Sequence, residues 1–502
     1  MPLSQSMHQQ EESSMSGDNV SRSGIFNFTL SSLPSMGDYC GELEIHHVEG
    51  ASQNMELTGN DLHIIPLYNK SRISIGRSPL SSLVLSKFTV SNIHCLIWVV
   101  LFDEQSVPLV YLKDVSRNGT WLNDKKMIKN QVVFLNHADT ISIPDVLEME
   151  FRTMYGNAEQ DRCMDMIQEL SIKSTIRPWH LMHRLLGNGT FGHVRTNTMN
   201  ILTPECIALL TRACENDKNP GTLYAVKVVK NDPTNIPFEA RSLLSSLSHV
   251  SLSPYQLTSF FSITMLTFMV AEHHQGTPHV ICGGDLFSYL SNGATIQAIP
   301  EYNAIVITYQ IMMALEFLHK NNIVHRDLKL ENVLLETPFP LSRVVLADFG
   351  IAKCISSTKR RVFTTVGTPE YSAPEVGFDI PKLPPHMRFS AQNQNIRLLR
   401  AGYDYKCDIW SLGIIVHIML SGVSPFFEDG HELNIVRAAK EGVLDLNSPH
   451  WDGVSVHARE FVGKVLLVDV NKRLDIQECF AHTWIAHYPE LAGTYRKITM
   501  GT

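Results

Sequence analysis

The chain has 502 residues, 44% hydrophobic and 18% charged, with a formal net charge of -8. That length holds two or three domains, each able to bury its own core, and the composition excludes a disordered or fibrous chain. The acidic balance argues against a nucleic-acid-binding body, and nine cysteines with neither a C-x-x-C pair nor metal spacing suggest neither a disulfide framework nor a zinc site and fit a reducing compartment.

Met1-Pro2-Leu3-Ser4-Gln5 lacks a basic region followed by an apolar core, so no secretory leader is expected. Residues 1–38, rich in Ser, Gln, Met and Gly, read as a disordered tail. From Gly41 to Thr153 short β-favouring runs alternate with turn residues: Leu43 to His47, Leu62 to Pro66, Ile73 to Ile75, Cys95 to Phe102, Leu109 to Leu112, Gln131 to Phe134 and Leu147 to Phe151. The spacing predicts an all-β sandwich. Its turns carry Ile75-Gly76-Arg77-Ser78, Val90-Ser91-Asn92-Ile93-His94 and Asp114 to Asn123. Singly, each has an ordinary reading: Asn118-Gly119 as a hairpin turn and Arg77 as a solvated charge. Together, a guanidinium, a hydroxyl and an amide at one end of a sandwich can bind an oxyanion.

The ordered triplet resembles the forkhead-associated (FHA) domain, a phosphothreonine reader, over residues 41–153. The resemblance implies that Arg77, Ser91 and Asn118 contact the phosphothreonine, with Asn92 and Arg117 reading the peptide around it. His94 and Gly76 are expected to be structural.

A polar bridge, residues 155–174, leads into a second domain from about Arg177 to His487. Gly187, Gly189 and Gly192, followed by Val194, form a run whose backbone N–H groups can close over phosphates. A dinucleotide fold uses the same glycine spacing but needs a helix at once; here the next clear element is an apolar strand, Leu223 to Val229, with one lysine, Lys227. Residues 198–220 read as an inserted loop whose tip, Glu215 to Gly221, has turn composition. Phe238 to His249 is a candidate helix carrying Glu239. Ser251 to Cys282 is irregular. Its apolar part, Leu257 to Ala271, is shorter than the ~20 residues that span a bilayer and reads as buried strands. A divergent lobe and an error in the predicted coding sequence both remain open for residues 240–282.

The pattern resumes at Gly283-Gly284-Asp285, and apolar positions from Ile305 to Leu318 predict an amphipathic helix over Glu301 to Lys320. Next comes Ile323 to Leu335, where two apolar runs bracket His325 to Asn332 and put Asp327, Lys329 and Asn332 on one edge. A carboxylate, an ammonium and an amide so held suit orienting a hydroxyl, steadying a transferring phosphoryl group and holding a divalent cation. Asp348, in Asp348-Phe349-Gly350, adds a hard oxygen suited to Mg²⁺. A threonine-rich stretch to Thr368 and Ala373-Pro374-Glu375 follow. Residues 377–401 read as a surface loop, Asp408 to Gly413 opens an apolar helix, and residues 488–502 form a short tail.

In this order the motifs resemble a Ser/Thr protein kinase of the calmodulin-kinase-like group, H-R-D-L-x-x-x-N being the catalytic loop. The fold class implied is multidomain: an N-terminal all-β FHA sandwich plus an α+β bilobal protein-kinase domain. The resemblance implies ATP and Mg²⁺ as cofactors. Asp327 and Lys329 would be catalytic, Gly187, Gly189, Gly192, Val194, Lys227 and Glu239 would hold ATP, and Asn332 and Asp348 the metal. Glu239 is the expected partner of Lys227, although it stands one position early for the usual spacing. Asp285 and Glu331 occupy positions that would favour R-x-x-S/T protein substrates, and Thr368 would shape the substrate site. Phosphorylation of Thr364 or Thr365 would be the activating switch, with Arg326 a ready partner for the phosphate, and Arg473 should pair with Glu375.

The two-domain order resembles the FHA checkpoint kinases of the DNA-damage response, and Gly402 to Cys407 and His417 to Gly422 resemble their meiosis-specific branch in budding yeasts. That implies a nuclear, chromosome-associated kinase recruited through phosphothreonine on an adaptor or chromosome-axis protein. Self-association would favour trans-phosphorylation, and no direct nucleic-acid or membrane partner is expected. Ser-Gln occurs only at Ser4-Gln5 and Ser52-Gln53, so activation through a clustered Ser/Thr-Gln region is not expected. The rival is a phosphothreonine-binding scaffold whose kinase fold is inactive.

Overall fold

The computed structural model describes residues 39–48, 64–101, 108–154, 175–176, 179–188, 210–216, 219–230, 255–257, 266–271, 282–292, 295–347, 353–354, 368–376, 404–427 and 431–500. Between 175 and 271, and at 353–354, it describes the backbone alone.

The first body has strands β1 (Tyr39–Val48), β2 (Ile64–Tyr68), β3 (Arg72–Gly76), β4 (Leu83–Val84), β5 (Cys95–Val100) and β6 (Leu109–Asp114). It continues with β7 (Trp121–Leu122), β8 (Lys125–Lys126), β9 (Val132–Phe134), β10 (Thr140–Ile143) and β11 (Leu147–Thr153). They form two sheets, ordered β2-β1-β11-β10-β7-β8 and β4-β3-β5-β6-β9. Alternate residues such as Leu43, Ile73, Ile75, Ile97, Leu112 and Met149 fill the space between them, the period-two signature of a sandwich. The short strands β4, β7, β8 and β10 are absent from the sequence expectation. Strands of two to four residues carry little periodicity, and the turn that joins β7 to β8 is Asn123-Asp124, with φ of 48° and 62°. That conformation suits a two-residue hairpin, so the tight hairpin lies beyond Asn118-Gly119.

A second, antiparallel sheet system contains β12 (Thr175–Ile176), β13 (Trp179–Asn188), β14 (Leu210–Asn216), β15 (Asn219–Lys230), β16 (Tyr255–Leu257) and β17 (Leu266–Ala271), in the order β12-β13-β14-β15-β17-β16. The expected loop over 198–220 is corrected at its C-terminal end, residues 198–209 lying outside the described residues. Residues 210–216 pair with β15 from Thr211↔Lys227 to Glu215↔Leu223, and only 217–218 separate the two strands. The polar spacing of Leu210 to Asn216 hid a strand whose order comes from its neighbours. Both β16 and β17 come from the irregular stretch, β17 pairing with β15 from Val226↔Val270 to Lys230↔Leu266.

The third body is mainly helical: α1 (Leu286–Leu290), α2 (Glu301–Lys320), α3 (Lys406–Ser421), α4 (Glu432–Glu441), α5 (Val456–Val465), α6 (Ile476–Ala481), α7 (Thr483–Ala486) and α8 (Leu491–Met500). Two small antiparallel pairs accompany them, β18 (Ile323–Val324) with β21 (Lys353–Cys354), and β19 (Val333–Leu335) with β20 (Val344–Leu346). Helix α3 is buried on all sides, as a helix apolar all round must be, and ends where Gly422 adopts φ 75° and returns its N–H to the Ile418 carbonyl. Residues 491–500, expected within a short tail, form α8 instead. Leu491 is buried and the Tyr495 ring meets Tyr309 of α2 edge-on at 5.9 Å, so this helix completes the core.

The sandwich and the helical body touch. In β5, Cys95, Ile97 and Val99 face the sandwich interior, whereas Trp98 and Val100 lie on the opposite face. That face gathers Trp98, Val100, Leu109 and Tyr111 with Cys282 and Phe339. The Trp98 indole N–H donates to the Cys282 carbonyl at 2.8 Å, and its ring meets Phe339 edge-on at 5.7 Å. Burying such a ring contributes ~1.5–3 kcal/mol, and the bonded N–H removes the penalty of burying it. Close approach follows from glycine: a Cβ on Gly284, at φ 76°, would stand 3.2 Å from Val100.

Candidate functional site

The loop between β18 and β19 is held from below by Asp408, the third residue of α3, which is fully buried. Its Oδ1 accepts the Arg326 N–H at 2.9 Å, and its Oδ2 accepts the His325 N–H at 3.0 Å and the His319 ring N–H at 2.9 Å. Burial works to raise the Asp408 carboxyl, but the hydrogen bond and charge of His319, the charge of His325 and the Arg326 N–H outweigh it and hold it below its ordinary value. The clamp keeps Arg326 at φ 71°, a conformation unfavourable for a side chain of this size. His325 completes the brace. Its Nδ1 accepts the Asp327 N–H at 3.3 Å, so Nε2 carries the proton and donates to the Ala347 carbonyl at 3.1 Å.

The loop therefore presents a rigid edge. Asp327 Oδ1 accepts from the Thr368 N–H at 3.1 Å and its hydroxyl at 2.9 Å. Asp327 Oδ2 lies 3.3 Å from the Lys329 ammonium, which also donates to Thr368 Oγ1 at 3.1 Å. Asn332 Nδ2 donates to the Asp327 carbonyl at 2.6 Å and to Oδ2 at 3.2 Å. With its NH₂ so engaged, Asn332 keeps its amide oxygen as an acceptor. A hard oxygen next to a carboxylate fits a divalent cation beside phosphate, the donor chemistry of Mg²⁺.

Next to this edge lies an acidic surface. Asp285 caps α1, accepting the Ser288 N–H at 2.7 Å, and Leu335 N–H bonds the Gly284 carbonyl at 2.9 Å, which joins α1 to the catalytic loop. Burial pushes the Asp285 carboxyl up to about 6, the Ser288 bond and the Lys70 charge oppose this, and the Glu331 charge adds to it. Glu370, given no role from sequence, belongs to the same surface: burial and the Glu331 charge raise its carboxyl too. Its signal was its place two residues after Thr368. Asp408 was read only as the start of a helix, and its anchoring role was missed because its partners lie more than 80 residues away.

Lys227 sits on β15 opposite Thr211 and Met269, and Gly187 on β13 opposite Thr211. Gly189, Gly192, Val194, Glu239, Asp348, Thr364 and Thr365 lie outside the described residues, as do the candidate helix at Phe238 to His249 and the loop 377–401.

At one end of the sandwich the structure brings together Arg77, Ser91, Asn92, Arg117 and Asn118. Arg77 N–H donates to the Ser91 carbonyl at 2.9 Å, Arg117 N–H to Ser91 Oγ at 3.1 Å, and Asn118 Nδ2 to the Thr89 carbonyl at 2.6 Å. His94, fully buried, ties the loops: its Nδ1 accepts the Ser91 N–H at 3.2 Å and its Nε2 donates to the Gly119 carbonyl at 3.1 Å. A Cβ on Gly76 would stand 2.2 Å from the Asn92 carbonyl, so only glycine permits this approach. Both arginines are exposed and directed donors surround them, an arrangement suited to a phosphate dianion.

Residues 181–485 match the protein kinase domain family, and residues 73–144 match the FHA domain. The chain belongs to the FHA-containing serine/threonine protein kinases. The meiosis-specific serine/threonine-protein kinase MEK1 of Saccharomyces cerevisiae is 38% identical over 449 residues, 87% of this kinase and 85% of that relative. The meiosis-specific serine/threonine-protein kinase mek1 of Schizosaccharomyces pombe is 32% identical over 421 residues, 83% and 82% of the two chains. The kinase is also similar to the serine/threonine-protein kinase cds1 of Schizosaccharomyces pombe, at 27% over 422 residues, 82% of this chain and 80% of that one. A crystal structure of Rad53 residues 1–466 in complex with AMP-PNP covers 89% of this chain and 100% of its own, at 23% identity and a TM-score of 0.45. The kinase domain implies ATP and protein substrates, and the FHA domain implies phosphothreonine-bearing partners.

Proposed function

We propose that this kinase transfers the ATP γ-phosphate to serine or threonine in arginine-directed sites and is recruited by phosphothreonine on an adaptor or chromosome-axis protein. Its setting is the nucleus, in meiotic recombination or the DNA-damage checkpoint, by analogy with its relatives. The observation that carries the chemistry is the contact of Asp327 with Thr368 and Lys329. Asp327 accepts the acceptor hydroxyl's proton, Lys329 faces the developing negative charge, and Thr368 fixes both. Asn332 and Asp348 would hold Mg²⁺, which when bound would supply positive charge to offset that of the ATP phosphates. Gly187, Gly189, Gly192, Val194, Lys227 and Glu239 are assigned to ATP. These groups support catalysis over the scaffold reading.

Asp285 and Glu331 would receive the substrate arginine. Because Asp285 titrates near 6, its charge is present above that pH and fades as pH falls through it. KM for an R-x-x-S peptide should therefore rise several-fold from pH 7.5 to 5.5 while that for an A-x-x-S peptide stays level. Asp285→Asn should remove the difference; an arginine preference that survives it at pH 7.5 refutes the assignment.

Arg77, Ser91 and Asn118 are assigned to the phosphate, and Asn92 and Arg117 to the flanking peptide. Arg77→Ala should lower phosphothreonine-peptide affinity at least tenfold by calorimetry, the loss of a charge-assisted contact. In cells, recruitment would concentrate two kinases and favour trans-phosphorylation at Thr364 or Thr365.

A further inference from the structure

The contact between the sandwich and the helical lobe does more than bury Trp98. It brings the β2–β3 turn of the FHA domain against α1, the helix that begins with Asp285. The Lys70 ammonium donates to the carbonyl of Ser291 at the end of that helix, and the Arg72 guanidinium lies 5.4 Å from the centre of the Tyr289 ring. Two cations from one domain thus meet the helix whose other end is capped by Asp285, one of the carboxylates assigned to the substrate arginine. Lys70 is half-buried, so its charge is less screened than that of a free surface lysine.

We propose that the docked FHA domain is an internal competitor of basic substrates: Lys70 and Arg72 reduce the pull of Asp285 and Glu331 on a substrate arginine, and release of the Trp98 contact removes that competition. The proposal rests on the arginine-directed reading above. The competing charges are placed by apolar contacts, Trp98 with Cys282 and Phe339 and Val100 with Gly284, so the arrangement needs no salt bridge to persist. The Lys70 charge bears on Asp285 across the length of this short helix, roughly 7 Å, and a unit charge at that separation, at an effective dielectric between protein surface and water, changes a binding constant several-fold. The competition weakens as salt screens the exposed Arg72.

The test compares the full-length kinase with Lys70→Ala, Lys70→Glu and the double variant Lys70→Ala/Arg72→Ala, on R-x-x-S and A-x-x-S peptides at low salt. KM for the arginine peptide should fall several-fold in Lys70→Ala, about tenfold in the double variant, and further in Lys70→Glu than in Lys70→Ala. KM for the alanine peptide and kcat for both should not move. Equal KM values for the two peptides in the unaltered kinase would remove the arginine-directed reading and this proposal with it. An arginine preference that is present but unmoved by every Lys70 and Arg72 change overturns the proposal alone. Thermal melts of each variant identify any that fail to fold, and the graded Ala-to-Glu series keeps the result readable if one does.

Discussion

Asp327→Asn is expected to lower kcat by about 10²–10⁴, the usual contribution of a positioned acid–base group. The change keeps size and one acceptor oxygen, so the bond from Thr368 can persist while the carboxylate that receives the hydroxyl proton is lost. Lys329 would then lose its ionic partner, but Asp408 still holds the backbone of His325 and Arg326. The KM for ATP and the thermal midpoint should therefore change little, which separates a chemical defect from a folding one. Retention of more than a tenth of the activity, measured by γ-phosphate incorporation with purified protein, would contradict the assigned role.

The second large effect concerns stability. Arg473 is fully buried, and its guanidinium bonds Glu375 twice, at 2.7 and 3.0 Å, as well as the carbonyls of Leu467 and Lys406 at 2.9 Å. It also lies 4.9 Å from the Trp410 ring centre, and Trp410 stacks on Phe426. Removing one member of a buried pair costs about 3–5 kcal/mol, because the other charge is left without a partner. Arg473→Ala should thus lower the helical lobe's unfolding free energy by that amount, a large share of the ~5–15 kcal/mol of a typical protein. Arg473→Lys should recover little, since an ammonium lacks the planar fork that meets both Glu375 oxygens and two carbonyls. An unfolding free energy for Arg473→Ala, from denaturant titration, within ~1 kcal/mol of the parent would show that solvent reaches the pair.

The residues that declared themselves in the sequence are those whose role depends on near neighbours. Asp327, Lys329 and Asn332 lie within six positions, and their bonds to one another are local. The helix at Glu301–Lys320 was legible because its apolar spacing follows the helical period. Arg77, Ser91 and Asn118 come from three loops, but each loop carries its own turn chemistry. What stayed hidden is non-local. Residues 210–216 become a strand because β13 and β15 flank them, and Asp408 anchors a loop far from it in sequence. Trp98 lies within the run Cys95 to Phe102, which the sequence marks only as a strand. Only the sheet's alternation reveals that it points away from the sandwich interior, toward a partner surface made by a different domain.

That second apolar face sets an order in time. A ribosome completes the sandwich strands long before it reaches Phe339, about 200 residues after Phe134. At typical synthesis rates of about 5–20 residues per second, Trp98, Val100 and Tyr111 wait roughly ten to forty seconds for the surface that covers them. The newborn FHA domain is therefore an adhesive intermediate, and the yield of folded kinase depends on what shields that sheet during the interval.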